Sequence, residues 1–220
     1  ARLEPGNRFS ERLMVNMAAD LAQTGASSRA HELLGRTVRL DPGYRAALLS
    51  LGFSYEQNGA YYEAGMTYRR LVEAHSDDAE GRLRLAVNLI RVGDDDEGLE
   101  ILRSLLGEDV LPWVKTIAAQ ELVRSLLETG KNEEAERAVR AALVQMPQDQ
   151  RLWILLAGIL EQSNRYDEAV KAVSNLPSAT RGVSPRARYA EWPSLGVGAS
   201  QSALAARSAE ALPALRAALA

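Results

Sequence analysis

Residues 45–78, RAALLSLGFSYEQNGAYYEAGMTYRRLVEAHSDD, decide the fold of this chain, because they predict two antiparallel helices joined by a turn. In the first helix, apolar and small residues recur at helical spacing: Leu48, Leu51, Gly52 and Tyr55. The turn falls at Asn58-Gly59, since glycine takes the left-handed conformation that closes a helix C-terminus. The second helix starts at Tyr61 with an apolar stripe of its own. Each helix therefore needs the other to bury its stripe.

The same turn and packing residues recur along the whole chain. A residue that tolerates left-handed geometry closes the first helix at five positions: Gly25, Gly59, Gly93, Gly130 and Asn164. Five residues after each turn comes a small residue that lets two helices approach: Ala30, Ala64, Gly98, Ala135 and Ala169. Subtracting these residue numbers gives spacings of 34, 34, 37 and 34 residues. Such a period predicts an array of helical repeats.

A 34-residue helix-turn-helix unit with Leu-Gly, Tyr, Ala, an aromatic residue and a closing proline resembles the tetratricopeptide repeat. The resemblance covers residues 11–183 and gives five repeats: 11–44, 45–78, 79–112, 116–149 and 150–183. The chain departs from the family pattern, since the first-helix tryptophan survives only as Trp153 and Val123 replaces a small residue in repeat four. Three additional residues near Pro112-Trp113 predict a wider joint between repeats three and four, and both tryptophans are expected in the core or at joints.

The resemblance implies an all-α fold, a right-handed α-solenoid of five units with additional C-terminal helices. We expect residues 1–10 to be a lead-in or the end of a preceding repeat, because LEPGN at 3–7 resembles LDPGY at 40–44. A last repeat leaves its outer apolar face uncovered, and solenoids need a terminal cap. The remaining sequence predicts a capping helix at 184–192, a linker at 193–202 and an amphipathic helix at 203–220.

Composition excludes several classes of protein. A formal charge of −3 gives no argument for nucleic acid or an anionic membrane surface as a partner. The absence of cysteine excludes disulfides and thiolate chemistry. No stretch approaches the roughly 18 apolar residues of a membrane helix. Abundant alanine, with arginine preferred over lysine, indicates a bacterial source, in which the cytoplasm and the periplasm both stay possible.

The sequence predicts no enzyme, no metal site and no cofactor. His31 and His75 lie near the ends of second helices in different repeats, without a carboxylate at ligand spacing. The acidic run 94–97, DDDE, lacks the alternating ligands of a calcium loop. It predicts a helix start instead, because acidic side chains stabilise the positive end of the helix dipole.

The resemblance implies a binding surface on the concave side, formed by the first helix of each repeat. Transferring the family's inward positions predicts these contacts: Val15, Leu49, Phe53, Glu56, Leu83, Val87, Ile90, Gln120, Arg124, Leu127, Arg151 and Ile154. The early positions are apolar where a carboxylate clamp would need Lys, Asn and Arg, so a clamp is not expected. An apolar trough with a charged rim suits an amphipathic helix or an extended peptide, with Phe53 as its anchor and Arg124 and Arg151 orienting an acidic flank.

These observations predict a non-catalytic scaffold that binds a protein or peptide partner. Two alternatives stay open from the sequence. The repeats could be the recruitment portion of a larger bacterial envelope or polysaccharide-assembly protein or enzyme. They could also form a self-assembling module, a homo-oligomer held together by the helix at 203–220.

Overall fold

A computed structural model describes residues 8–175, with the side chain of Arg8 left out, and shows α-helices and no strand within that range. The helices are α1 Arg8–Gln23, α2 Ser27–Leu40, α3 Arg45–Gln57, α4 Tyr61–Ala74, α5 Ala79–Arg91, α6 Asp95–Gly107, α7 Pro112–Glu128, α8 Asn132–Gln145, α9 Gln150–Gln162 and α10 Tyr166–Ser174. The chain divides into two compact units, unit 1 with residues 1–110 and unit 2 with residues 111–220. The predicted all-α solenoid class is confirmed.

The turns between paired helices have the predicted left-handed residues. Positive φ angles occur at all five predicted positions: Gly25 (83°), Gly59 (71°), Gly93 (89°), Gly130 (74°) and Asn164 (59°). Within residues 8–175, Asn164 is the only residue other than glycine with a positive φ. Each turn reverses the chain over three residues, and the helices on its two sides pack together as a hairpin.

Unit 1 contains three hairpins, α1–α2, α3–α4 and α5–α6, joined by contacts of α2 with α3 and of α4 with α5. Tyr68 of α4 is fully buried against Gly52 of α3, where an added Cβ would lie 2.5 Å from two atoms of the tyrosine ring. Around it lie further buried residues from the same helices: Ala47, Leu48, Leu51, Ala64 and Leu71. The Leu-Gly pair of the first helix and the aromatic residue of the second thus form the centre of the hairpin.

Unit 2 contains two hairpins, α7–α8 and α9–α10, and α9 packs on both α7 and α8. Its buried residues come from every one of these helices: Val114, Ala118, Leu122, Leu126, Val139, Leu143, Leu152, Leu156, Leu160, Ala169 and Val173. Val123, the departure from a small residue, is fully buried in α7. Trp153 of α9 is half-buried, and its Nε1 donates a hydrogen bond of 2.8 Å to the carbonyl of Pro147 in the preceding loop.

Side-chain hydrogen bonds also tie consecutive repeats together. The Asp78 carboxylate caps α5 by accepting from the amide of Gly81, and it also accepts from Arg45 at the start of α3 at 2.6 Å. In unit 2, Thr116 of α7 donates to Asp149, which caps α9 in the same way. The first residue of one repeat is thus bonded to the last residue of that repeat, which caps the next first helix.

Three expectations differ from the structure. Helix α1 begins at Arg8, so it extends into the predicted lead-in 1–10. Helix α7 begins at Pro112, because proline suits the first helical position, and the three additional residues lengthen this helix to 17 residues. Trp113, expected in the core or at a joint, is exposed at the start of α7 and so does not lie in the core. The predicted capping helix, linker and terminal helix at 184–220 lie outside the described residues.

Candidate functional site

The first helices of unit 1 place an aromatic side chain beside a cation on their exposed face. Phe53 of α3 is 48% exposed, although it lies in the middle hairpin of the unit. The guanidinium carbon of Arg84, on α5, lies 5.8 Å from the centroid of the Phe53 ring. A cation at this distance from the face of an aromatic ring is attracted by its quadrupole. The pair therefore joins α3 and α5 at the surface.

The carboxylate of Glu56, three residues after Phe53 on α3, holds the arginine in place. Arg84 donates from Nη1 to Oε2 of Glu56 at 3.1 Å, and Asn88 donates from Nδ2 to Oε1 at 2.6 Å. The Glu56 side chain is 10% exposed and that of Arg84 is 38% exposed. The negative charge is thus withdrawn from solvent while the positive charge faces it. We call Phe53, Glu56, Arg84 and Asn88 the Phe53 patch.

Buried polar groups of Tyr68 and Asn88 lie close to Glu56 of the Phe53 patch. The pKa of Tyr68 is raised, first by burial and then by the negative charge of Glu56, so its phenol stays neutral. Within the described residues, Oδ1 of Asn88 is buried without a hydrogen-bond partner. The Tyr68 ring cannot retreat, since it is fully buried against Gly52. The packing of α3 against α4 therefore fixes the position of the Tyr68 side chain next to Glu56.

Apolar residues flank the Phe53 patch on three helices. Val15, Leu49 and Val87 are half-buried on α1, α3 and α5. Leu83 and Ile90, which the sequence predicts as contacts, are instead buried. Ile90 packs against Gly98 of α6, where an added Cβ would lie 2.6 Å from its Cγ1. Both side chains support α5 from within and add no exposed contact area.

The predicted contacts in unit 2 are mostly enclosed. Gln120 and Ile154 are buried, and Leu127 is half-buried. The Arg124 side chain is only 14% exposed and is paired with Glu121 and Glu128. Burial lowers the pKa of Arg124, but the two carboxylates more than offset this and leave it raised. The charge of Arg124 is thus paired with two carboxylates of its own helix, α7. The prediction that Arg124 orients an acidic flank of the partner is therefore corrected.

Arg151 is exposed at the start of α9. Its backbone amide donates 2.9 Å to the Asp149 carboxylate that caps this helix.

Both histidines make structural contacts. Nδ1 of His31 lies 3.1 Å from the Ser54 hydroxyl, and its ring meets Tyr55 edge-on. Nε2 of His75 lies 2.7 Å from the carbonyl oxygen of Gly43, to which it donates. The acidic run supplies the first turn of α6, as predicted, and Glu97 accepts two hydrogen bonds of 2.7 Å from Arg69. Between residues 8 and 175, no three metal-ligating side chains come together.

The outer face of α1 carries a second exposed apolar surface. Phe9, Leu13 and Met17 lie four residues apart and are all exposed. One repeat later, Ala47 and Leu51 occupy the positions of Leu13 and Met17 and are buried where α3 packs on α2. We call the three exposed side chains the α1 stripe.

Within each unit, the second helix of one pair packs on the first helix of the next pair, and the first helices keep exposed side chains. This arrangement defines a helical-repeat protein of the kind that binds other proteins. Tetratricopeptide repeat models match residues 15–79 and 126–191. The chain belongs to the tetratricopeptide repeat family, whose members are protein-interaction scaffolds with protein or peptide partners.

One curated relative comes from a bacterium, in agreement with the predicted source. The chain is 23% identical over 192 residues to cellulose synthase operon protein C of Pseudomonas fluorescens (strain SBW25). The match covers 81% of this chain and 15% of the relative, so the chain spans a small part of that protein's length.

Solved structures share the fold at low sequence identity. MamA is 17% identical with a TM-score of 0.62, over 83% of this chain and 95% of MamA. PilF of Pseudomonas aeruginosa is 16% identical with a TM-score of 0.64, over 77% of this chain and 76% of PilF. YrrB, described as a protein with an unusual peptide-binding site, is 16% identical with a TM-score of 0.57, over 81% of this chain and 91% of YrrB.

No helix within residues 8–175 has the length and apolar character needed to cross a bilayer.

Proposed function

We propose that the protein is a non-catalytic scaffold that binds an apolar or amphipathic segment of a partner on the first-helix face of unit 1. The observation that carries this proposal is the exposure of Phe53. A large aromatic side chain is left half in water in the middle of a hairpin whose neighbouring residues Leu48 and Leu51 are buried. Exposed aromatic side chains on a rigid support are the usual anchors of protein interfaces.

The surroundings of Phe53 support a preformed site. Arg84 lies over the Phe53 ring and is paired with Glu56, and half-buried Leu49 and Val87 add apolar surface on α3 and α5. A partner therefore meets side chains that are already ordered, which lowers the entropic cost of binding.

Peptides selected from a random library against the intact chain provide the test. Phe53→Ala should weaken the binding free energy of the selected peptides by roughly 1–3 kcal/mol, as expected for loss of an aromatic anchor. Fluorescence anisotropy measures the affinity, and circular dichroism checks that the helices persist. Tyr62→Ala is the matched control, because Tyr62 is exposed on the second helix α4, away from the patch. Equal affinity of Phe53→Ala and the original chain would contradict the proposal.

We propose, as a second candidate, that the repeats work as one section of a longer polysaccharide-assembly protein. The α1 stripe favours this candidate, because the equivalent positions of α3 are buried by the preceding repeat. The occupant that fits the stripe is therefore the second helix of a further repeat. The relative named as a cellulose synthase operon protein is long enough to contain many such units, since this chain covers 15% of it.

Two measurements test this second candidate. An additional copy of residues 11–44, placed in register before residue 11, should raise the melting temperature, and Leu13→Glu in the original copy should cancel the gain. An unchanged melting temperature would show that the α1 stripe takes no further repeat. In the host bacterium, deletion of these repeats should reduce extracellular cellulose. An unchanged amount of cellulose would contradict a role of the repeats in cellulose assembly.

A further inference from the structure

We infer that the partner segment carries a side-chain carboxylate next to an apolar side chain, with the apolar group on Phe53 and the carboxylate on Arg84. This inference rests on the proposed binding function of the first-helix face. It assigns to Arg84 the selection of acidic over neutral segments, a role that the predicted contacts had given to Arg124 and Arg151.

Arg84 has unused donors at the surface. Its bond to Glu56 uses Nη1 alone, and no hydrogen bond of Nε or Nη2 occurs within the described part of the chain. A guanidinium presents its N–H groups in a planar fork that matches the two oxygens of a carboxylate. The side chain is 38% exposed, so a second carboxylate can reach the fork while Glu56 keeps its own bond.

The charge of the surrounding face also favours an acidic segment. Among the acidic side chains of α1, α3 and α5, Glu11 is buried, and Glu56 and Glu80 are in ion pairs with arginines. Asp20, in the last turn of α1, is the remaining exposed acid of these three helices.

Two further arginines add positive charge to the same helices. Arg12 and Arg91 are exposed on α1 and α5, and Arg91 lies 4.8 Å from the centroid of the Tyr61 ring. The first helices of unit 1 thus carry more exposed positive than exposed negative charge, which attracts acidic segments and disfavours basic ones.

The carboxylate belongs to a side chain inside the segment rather than to a chain terminus. Half-buried apolar residues continue the surface along the first helices of unit 1, with Val15 on α1 and Val87 on α5. A segment that contacts Val15, Phe53 and Val87 crosses α1, α3 and α5, and a carboxylate on one of its side chains can reach Arg84 without placing a chain terminus there. Burial of apolar contacts around the charge-assisted bond strengthens that bond by excluding water.

Two synthetic peptides test the inference. Both are acetylated and amidated at their ends and carry leucines at positions i and i+4. One has glutamates beside the leucines, and its twin has glutamines. The glutamate peptide should bind the full chain about tenfold more tightly in fluorescence anisotropy, the size expected of one charge-assisted hydrogen bond. The difference should shrink at high salt.

Variants separate the two contributions. Arg84→Gln should bring the ratio of the two peptide affinities to about one, whereas Phe53→Ala should weaken binding of both peptides by a similar factor and keep the ratio. Arg70→Gln is the matched control, because Arg70 is exposed on the second helix α4. A preference that survives Arg84→Gln, or is lost equally in Arg70→Gln, would overturn the assignment.

The peptide results also distinguish this inference from the proposal on which it rests. Equal binding of the two peptides, with loss on Phe53→Ala, would overturn the acidic selectivity and leave the binding function standing. Failure of both peptides to bind at millimolar concentration would count against the binding function itself and against the inference with it.

Discussion

Replacing Gly52 with alanine should destabilise unit 1, although alanine is the better helix former. An alanine in the interior of α3 gains about 1 kcal/mol of helix propensity over glycine. Its Cβ, however, would lie 2.5 Å from both Cε1 and Cζ of Tyr68. Because Tyr68 is fully buried, the ring cannot swing into solvent and the helices must move apart. Overpacking of this kind costs about 1–3 kcal/mol, and the short contact to two ring atoms places it near the upper end. The net loss is about 1–2 kcal/mol.

Gly65→Ala is the matched control with the opposite sign. Gly65 is also buried in a helix of unit 1, but an added Cβ would meet its nearest neighbour, Cβ of Asn88, at 3.7 Å. This is an ordinary contact distance, so the propensity gain remains. The variant should be about 0.5–1 kcal/mol more stable than the original chain.

Urea titrations followed by circular dichroism compare the variants, with hydrogen exchange in α3 and α4 locating the effect in unit 1. Repeat arrays need not unfold in one step, so the local exchange data carry the comparison. In a double-mutant cycle, Tyr68→Leu should remove most of the penalty of Gly52→Ala, because the leucine side chain no longer covers the site. Equal stability of Gly52→Ala and Gly65→Ala would contradict the close contact between Gly52 of α3 and the Tyr68 ring of α4.

Three further predictions concern pH, a turn and the C-terminal segment. The pKa of Glu108 lies at about 2 because its carboxylate accepts hydrogen bonds from Arg82 and Ser104. This pKa is below the value of about 4.3 in the unfolded chain, so the ionised Glu108 carboxylate stabilises the folded state. The stabilisation is complete above about pH 4.3 and is lost as the pH falls towards 2. Glu108→Gln should flatten the change in urea midpoint between these pH values, and an unchanged profile would contradict this. Asn164 has a φ of 59°, in the left-handed region that glycine adopts freely and alanine does not. Asn164→Gly should therefore keep or slightly raise the melting temperature, and Asn164→Ala should lower the free energy of unfolding by about 1 kcal/mol. The reverse order of the two variants would refute the turn geometry. If the C-terminal helix assembles the chain, light scattering should find an oligomer that becomes monomeric when the chain ends at Trp192, and equal masses would exclude that route.

The turns were predictable from sequence because each depends on a few local residues. A left-handed residue closes a helix wherever the apolar period also breaks, and this happens at Gly25 and at each later repeat. Helix ends were less certain. Pro112 is equally able to stop one helix or to open the next, and the structure places it in the first turn of α7.

The candidate site was only partly predictable. Phe53 was expected to be exposed, and it is. Ile90 has the same position in its repeat as Glu56, yet it is buried because Gly98 lets α6 approach it closely. Arg84 was missed because its role depends on Glu56, 28 residues away, and on the ring of Phe53. No pattern within a single helix marks such a contact.

The period of about 34 residues, the left-handed turns and the apolar stripes determined by themselves that this chain is an array of helical hairpins. They could do so because helix periodicity and turn geometry are properties of neighbouring residues. The tertiary structure decided which side chains of the first helices remain in water and how their charges pair. Exposure and ion pairing depend on the distances between helices within and between repeats. Within a repeat, small residues such as Gly52 and Gly98 and the side chains packed against them set this distance.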